Sequence, residues 1–247
     1  MLLKDLPING RLYLGYCGDT DFRWAKVSDD NDFISVRPVS FQQFDENEYT
    51  NTSRDRRRFG NNFFPHSNIL QWLNASDPDW FTPQHQYDAR PFMPGQGFLC
   101  CLSPEERRLL VPREITVAVP LGSKKQFGKT YTMECKVCLP SAAECGYSDS
   151  DEGFAIEGEA LPGLVDLIRY ERAFKPVTRT GCRDGGHVVM CASNEEWRSR
   201  IASDRFNVYP MFRLAPDTVI SDEVDEEGYH FINTPNKDEE FFRLLVS

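Results

Sequence analysis

Cys135 and Cys138, in the run ECKVC, stand at the spacing of a zinc-ligand pair, and Cys145, Cys182, His187 and Cys191 could complete a tetrahedral site. The run is strand-like, however, and alternation along a strand sends these two cysteines to opposite faces, which counts against a shared metal. A cysteine- or metal-dependent enzyme built on Cys182, His187 and Cys191 is the catalytic alternative. A nucleophile of that kind needs a histidine and an orienting acid gathered in space, and sequence does not assemble them. The adjacent Cys100 and Cys101 read as small buried hydrophobes rather than nucleophiles.

Histidines stand at 66, 85, 187 and 230. The most suggestive is His85 in PQHQYDARP, crowded by Gln84, Gln86, Tyr87, Asp88 and Arg90. The plainer account of that run is an ordered loop held by local hydrogen bonds. Asp149, Asp151 and Glu152 have a calcium-like spacing but lack the loop and terminal glutamate of a calcium site, so they read as a solvated acidic turn. GSKKQFGKT is not a phosphate loop, because Gly122 and Gly128 enclose five residues where the motif needs four. Trp72 and Trp80 have the chemistry to stack on a sugar, but in short amphipathic runs they read as core anchors. No catalytic set, metal or other cofactor follows from these residues.

The elements that position such side chains belong to a globular chain. Its 247 residues are 40% hydrophobic, enough for a buried core, and 16 glycines with 16 prolines point to many turns and loops. The class expected is α+β with long ordered loops. A net charge of −10 repels phosphate backbones and anionic lipid, so neither nucleic acid nor a membrane is expected as a partner. The one basic run, Arg54 with Arg56, Arg57 and Arg58, is interrupted by Asp55 and preceded by Asp45, Glu46 and Glu48, and reads as a solvated loop. MLLKDLPINGRLYLGY has no apolar core of a signal peptide, so cytoplasmic synthesis is expected. The eight cysteines are then expected as free thiols, and the glycosylation triplets at Asn51 and Asn74 carry no meaning.

Along the chain, RLYLGY, FRWAKV and DFISVRPVSF predict an opening antiparallel meander, with Trp24 and Val27 facing a core. The polar stretch FQQFDENEYTNTSRDRRRFGNN predicts a long surface loop. Ser67 is expected to cap a short helix carrying Ile69, Leu70, Trp72 and Leu73. Ser103-Pro104-Glu105-Glu106 predicts a second helix more strongly: serine cap, proline at the first position, acids in the first turn. EITVAV and YTMECKVCLP predict strands, LPGLVDLIRYERAF a further helix, and HVVMCA, YPMFRLA and YHFI short strands before a small terminal helix. With no linker-like break, residues 1–221 are expected to form a single domain and residues 222–247 a C-terminal extension packed on or next to it.

The order of these features resembles a family: an uncharacterised domain of unknown function found in gut bacteria and in their phages and prophages. The phrases that carry the resemblance are KVSDDNDFIS, SNILQWLN, WFTPQHQYDARP, LSPEERRLL, KVCLPSAAE and YPMFRLA, spread in that order from Phe22 to Val219. Members usually have a WWLRSP-like phrase before the last strands; VTRTGCRDGGHVVM stands there instead. The resemblance implies a C-type-lectin-like fold, related to formylglycine-generating enzymes, with small twisted antiparallel sheets, two or three short helices and long ordered loops. It also implies that Cys138 fills a buried apolar position. The copper-binding cysteine arrangement of formylglycine-generating enzymes and the EPN or QPD triplets of calcium-dependent lectins are both missing.

The resulting expectation is a non-enzymatic binding or structural module, phage- or prophage-encoded, that recognises a protein or glycan through loops 41–63, 84–96 and 145–159. Its ligand-binding residues are expected to include His85, Gln86, Tyr87, Asp88, Arg90, Arg56 and Arg57. A virion-surface role, with homo-oligomeric assembly open to it, stands beside an alternative as an intracellular phage inhibitor of a host defence protein.

Overall fold

A computed structural model describes residues 1–18, 20–91, 95–120, 128–148, 153–192 and 196–233. The opening meander forms as the alternation predicts. Strand β1 (Arg11–Cys17) pairs antiparallel with β2 (Thr20–Lys26), and β2 with β3 (Asp32–Ser35). The β1–β2 register shifts between Tyr13 and Tyr16. Gly15 sits in that bulge at φ +74°, and a Cβ there would meet Leu102 Cδ2 at 2.3 Å, so the bulge needs glycine for both conformation and space.

Strand β4 (Ser40–Gln43) and helix α1 (Arg54–Phe59) follow, then α2 (Asn68–Asn74) and α3 (Pro104–Leu109). Helices α2 and α3 start where their serines predict. Ser67 Oγ accepts from Leu70 N–H, while Ser103 and Glu106 form a reciprocal capping box. Next come β5 (Leu110–Val111), β6 (Arg113–Ala118), β7 (Thr130–Cys135), β8 (Val137–Cys138) and α4 (Pro162–Tyr170). The closing third carries β9 (Val177–Gly181), β10 (His187–Cys191), β11 (Trp197–Ile201), β12 (Arg205–Val208), β13 (Met211–Leu214), β14 (Ile220–Val224) and β15 (Tyr229–Ile232).

The architecture is α+β. An eight-stranded sheet runs β14-β15-β1-β2-β3-β13-β5, with β8 also on β13; β11-β10-β9, β12-β4 and β6-β7 form smaller sheets. Among the described residues every strand pairing is antiparallel except β1 with β15, where Arg11 to Tyr13 run beside Tyr229 to Phe231. The boundary expected after residue 221 therefore falls inside β14. Residues 222–232 are hydrogen-bonded into the main sheet, because β15 is the strand that covers the outer edge of β1. The predicted terminal helix lies outside the described residues.

Aromatic rings fill the core between the main sheet and the short helices. Trp24 sits with its ring centroid 4.3 Å from Phe212 and 6.3 Å from Phe98, and Trp72 lies 5.8 Å from Phe98. Trp24 and Val27 are fully buried, and Trp72 and Trp80 are core anchors whose indole N–H groups donate to Gln96 O and Gly95 O. A buried ionic chain ties the sheets together. Asp32 accepts from Arg213 at 2.9 Å and lies 3.2 Å from Arg113, Arg113 reaches Glu144 at 2.7 Å, and Arg179 grips Glu144 at 2.7 and 3.1 Å. Arg179 and Arg113 hold the Glu144 carboxyl down to about 2 against the opposing effect of burial.

Candidate functional site

The stretch expected as a surface loop after β4 is instead folded inward at its start and helical at its end. Asp45, Glu46 and Glu48 are all buried. Asp45 is enclosed because it satisfies backbone donors from two directions: Oδ2 accepts Asn61 N–H at 2.8 Å and Oδ1 accepts Asn68 N–H at 3.0 Å, the latter at the first position of α2. Burial pushes this carboxyl well above the usual range, and the two N–H donors oppose that push. The basic run forms α1 because Ser53 accepts Arg56 N–H at its start and Gly60, at φ +74°, ends it. The helix buries none of its residues, so its arginines line a surface.

Glu48 organises what lies above Asp45. Its Oε1 lies 3.3 Å from Arg56 Nη1 and 3.4 Å from His85 Nε2, and its Oε2 accepts from Asn51 Nδ2. His85 accepts Tyr87 N–H on Nδ1 at 3.2 Å, which leaves the Nε2 proton to face the glutamate. Asp88 completes the link. Its Oδ2 accepts Gln84 N–H at 2.9 Å and its Oδ1 accepts Asn68 Nδ2 at 3.1 Å, while Asn68 Oδ1 accepts Glu46 N–H at 2.9 Å. The loops 44–62 and 84–90 are thus fastened to each other and to the N-terminus of α2. His66, whose ring meets Phe63 edge-on at 5.1 Å, lies close enough for His85 and Arg56 to add to the desolvation that lowers its pKa.

The expected ligand-binding residues divide among these roles. Arg56, His85 and Asp88 meet in the Glu48 cluster, and Tyr87 joins it through its backbone. Arg57 is exposed and donates to the carbonyls of Asn51 and Thr52 at 2.6 and 3.1 Å. Arg90 pairs with Asp79 at 2.7 Å on the surface, and Gln86 is exposed. Sequence reasoning missed Asp45, Glu48, Asn51, His66 and Asn68. The acids DENE were the available signal, but beside four arginines they read as solvated charge.

The cysteine constellation does not assemble as a metal site: among the described residues no group of three or more His, Cys, Asp and Glu side chains is placed to hold an ion. Cys145 and Cys191 are buried free thiols and the Tyr147 hydroxyl donates to Glu196 O at 2.9 Å, whereas His187 lies 2.7 Å from Asp184. The calcium-like acids at 149–152 and most of GSKKQFGKT lie outside the described residues.

The sequence profile of a domain of unknown function, DUF6273, matches residues 33–216. The chain belongs to the DUF6273 family. The matched span begins in β3 and ends just after β13, so it contains the whole Glu48 cluster. Strands β1, β2, β14 and β15 lie outside it and complete the main sheet of this DUF6273 chain. No curated protein and no solved structure matched it. No helix among the described residues is long and apolar enough to cross a membrane.

Proposed function

We propose that the chain is a non-enzymatic recognition module, phage- or prophage-encoded, with a C-type-lectin-like arrangement of loops on a sheet scaffold, and that it binds a protein or glycan ligand on a virion or cell surface. The observation that carries this reading is the double engagement of Glu48 by Arg56 and His85, which makes one preorganised surface out of two loops. Preorganised loops lose little entropy when a ligand arrives. The exposed groups these loops offer are Tyr49, Arg54, Arg57, Gln84, Gln86 and Arg90, a mix of ring faces and planar donors suited to sugars and peptide backbones. His85 has both ring nitrogens committed within the loops, which supports a positioning role over acid–base chemistry.

The test is to screen the full chain against a glycan array, intact bacterial cells and soluble lysate, and to repeat it with Arg57→Ala/Gln86→Ala. A surface ligand bound by the wild type and weakened about tenfold by the variant, at unchanged thermal midpoint, supports the reading. Equal binding by both proteins overturns the site. A stoichiometric cytosolic protein partner favours the intracellular-inhibitor alternative, for which the net charge of −10 suits a basic groove.

A further inference from the structure

Strand alternation would part Cys135 from Cys138, but the chain bends at Lys136, between β7 and β8, and brings them together. Asn74, the last residue of α2, makes that bend. Its Oδ1 accepts Lys136 N–H at 3.1 Å and Val137 N–H at 3.0 Å, and its Nδ2 donates to Val137 O at 2.8 Å and Leu70 O at 3.0 Å. All the hydrogen-bonding positions of this amide are therefore spent on holding the corner and anchoring it to the helix. The two thiols are thereby near enough for each to shift the other's titration, Cys135 up and Cys138 down.

The surroundings of this pair favour a thiolate on Cys138. Arg113 is the cross-strand partner of Cys135, and its Nη1 stands 3.5 Å from Cys138 Sγ. Arg179 lies on the same ionic chain and adds its field. The neighbouring Cys135 thiol brings Cys138 down to about 7, the two guanidinium groups adding to the pull against burial. Cys138 is enclosed, but Cys135 is only half-buried, so an external reagent has one sulfur to approach. Cys145 and Cys191, by contrast, are both buried.

We propose that Cys135 and Cys138 form a redox-active dithiol that closes reversibly to a disulfide by exchange with a low-molecular-weight disulfide such as oxidised glutathione. The pair titrates as a unit: Cys138 and burial hold the Cys135 thiol above its ordinary range, so Cys135 becomes the attacking thiolate by passing its proton to Cys138. The Cys135 thiolate attacks one sulfur of the external disulfide, forming a mixed disulfide and expelling the first thiolate. Cys138 then attacks Cys135 Sγ, breaks the mixed bond and expels the second. The dithiol loses two electrons and two protons, and the external disulfide becomes two thiols.

The experiment equilibrates the full chain at neutral pH over a series of reduced-to-oxidised glutathione ratios, quenches with acid, alkylates free thiols and reads the cysteine peptides by mass spectrometry. The expected result is that Cys135 and Cys138 lose their labels together as oxidised glutathione rises and regain them on reduction. Cys138→Ser is expected to stop at glutathione bound to Cys135. Asn74→Ala, which relaxes the corner, is expected to need roughly tenfold more oxidised glutathione at the midpoint. Retention of both labels at every ratio in the wild type overturns the proposal, as does a Cys138→Ser protein that forms no mixed disulfide at Cys135.

Discussion

Glu48 and His85 meet at 3.4 Å across the two loops that the sequence singles out for recognition, and the same carboxylate oxygen lies 3.3 Å from Arg56. A single buried acid therefore bridges a basic helix and a polar loop that are remote in the chain. The buried position matters: a carboxylate shielded from water binds its partners with less competition than one on the surface.

Beneath this contact, Asp45 serves two backbone donors with a carboxyl pushed toward its neutral form. Asp45→Ala leaves both N–H groups buried without acceptors and is expected to cost about 3 kcal/mol. Asp45→Asn keeps one acceptor and carries no charge to bury, so it is expected to cost about half as much. Urea denaturation of the two variants side by side checks the order.

Glu144 is the acid on which the ionic chain converges, and Glu144→Gln is expected to destabilise the fold by about 3–5 kcal/mol because it leaves Arg179 buried without its paired anion and Arg113 with Asp32 alone. The pH dependence follows the sign of its shift. The folded pKa, about 2, lies below the ordinary 4.5, so the stabilisation is complete above the ordinary value and lost as pH falls toward 2. Asp45 and Glu157, both pushed upward mainly by burial, act in the opposite sense and lose stabilisation as pH rises. Unfolding free energies between neutral and acidic pH are expected to fall less steeply for Glu144→Gln than for the wild type.

The capping box of α3 does more than start a helix, because Glu106 also accepts Gly15 N–H at 3.1 Å in the β1 bulge. Ser103→Ala is expected to cost about 1 kcal/mol, and Glu106→Ala more, since it leaves two N–H groups unpaired. Thermal denaturation of both variants measures the difference.

What could be read from the sequence was what is decided locally. The serine caps at 67 and 103 and the alternation of β1 to β3 are short-range chemistry. β11, the WRSRI run, escaped notice because it is an edge strand with exposed polar residues and no apolar period. β9 escaped for the opposite reason: Thr178, Arg179 and Thr180 are polar yet fully enclosed, satisfied by Val189 O, Glu144 and Glu157. Asp45 and Glu48 belong with them. Charge alone reads as solvent, and only the fold supplies the partners that let it be buried.

The most direct measurement is hydrogen–deuterium exchange on Glu48→Ala compared with the wild type, followed peptide by peptide. The account predicts that residues 45–62 and 84–90 lose protection together while β1 to β3 keep theirs. Faster exchange confined to 45–62, with 84–90 unchanged, would contradict the claim that one glutamate holds both loops as a single surface.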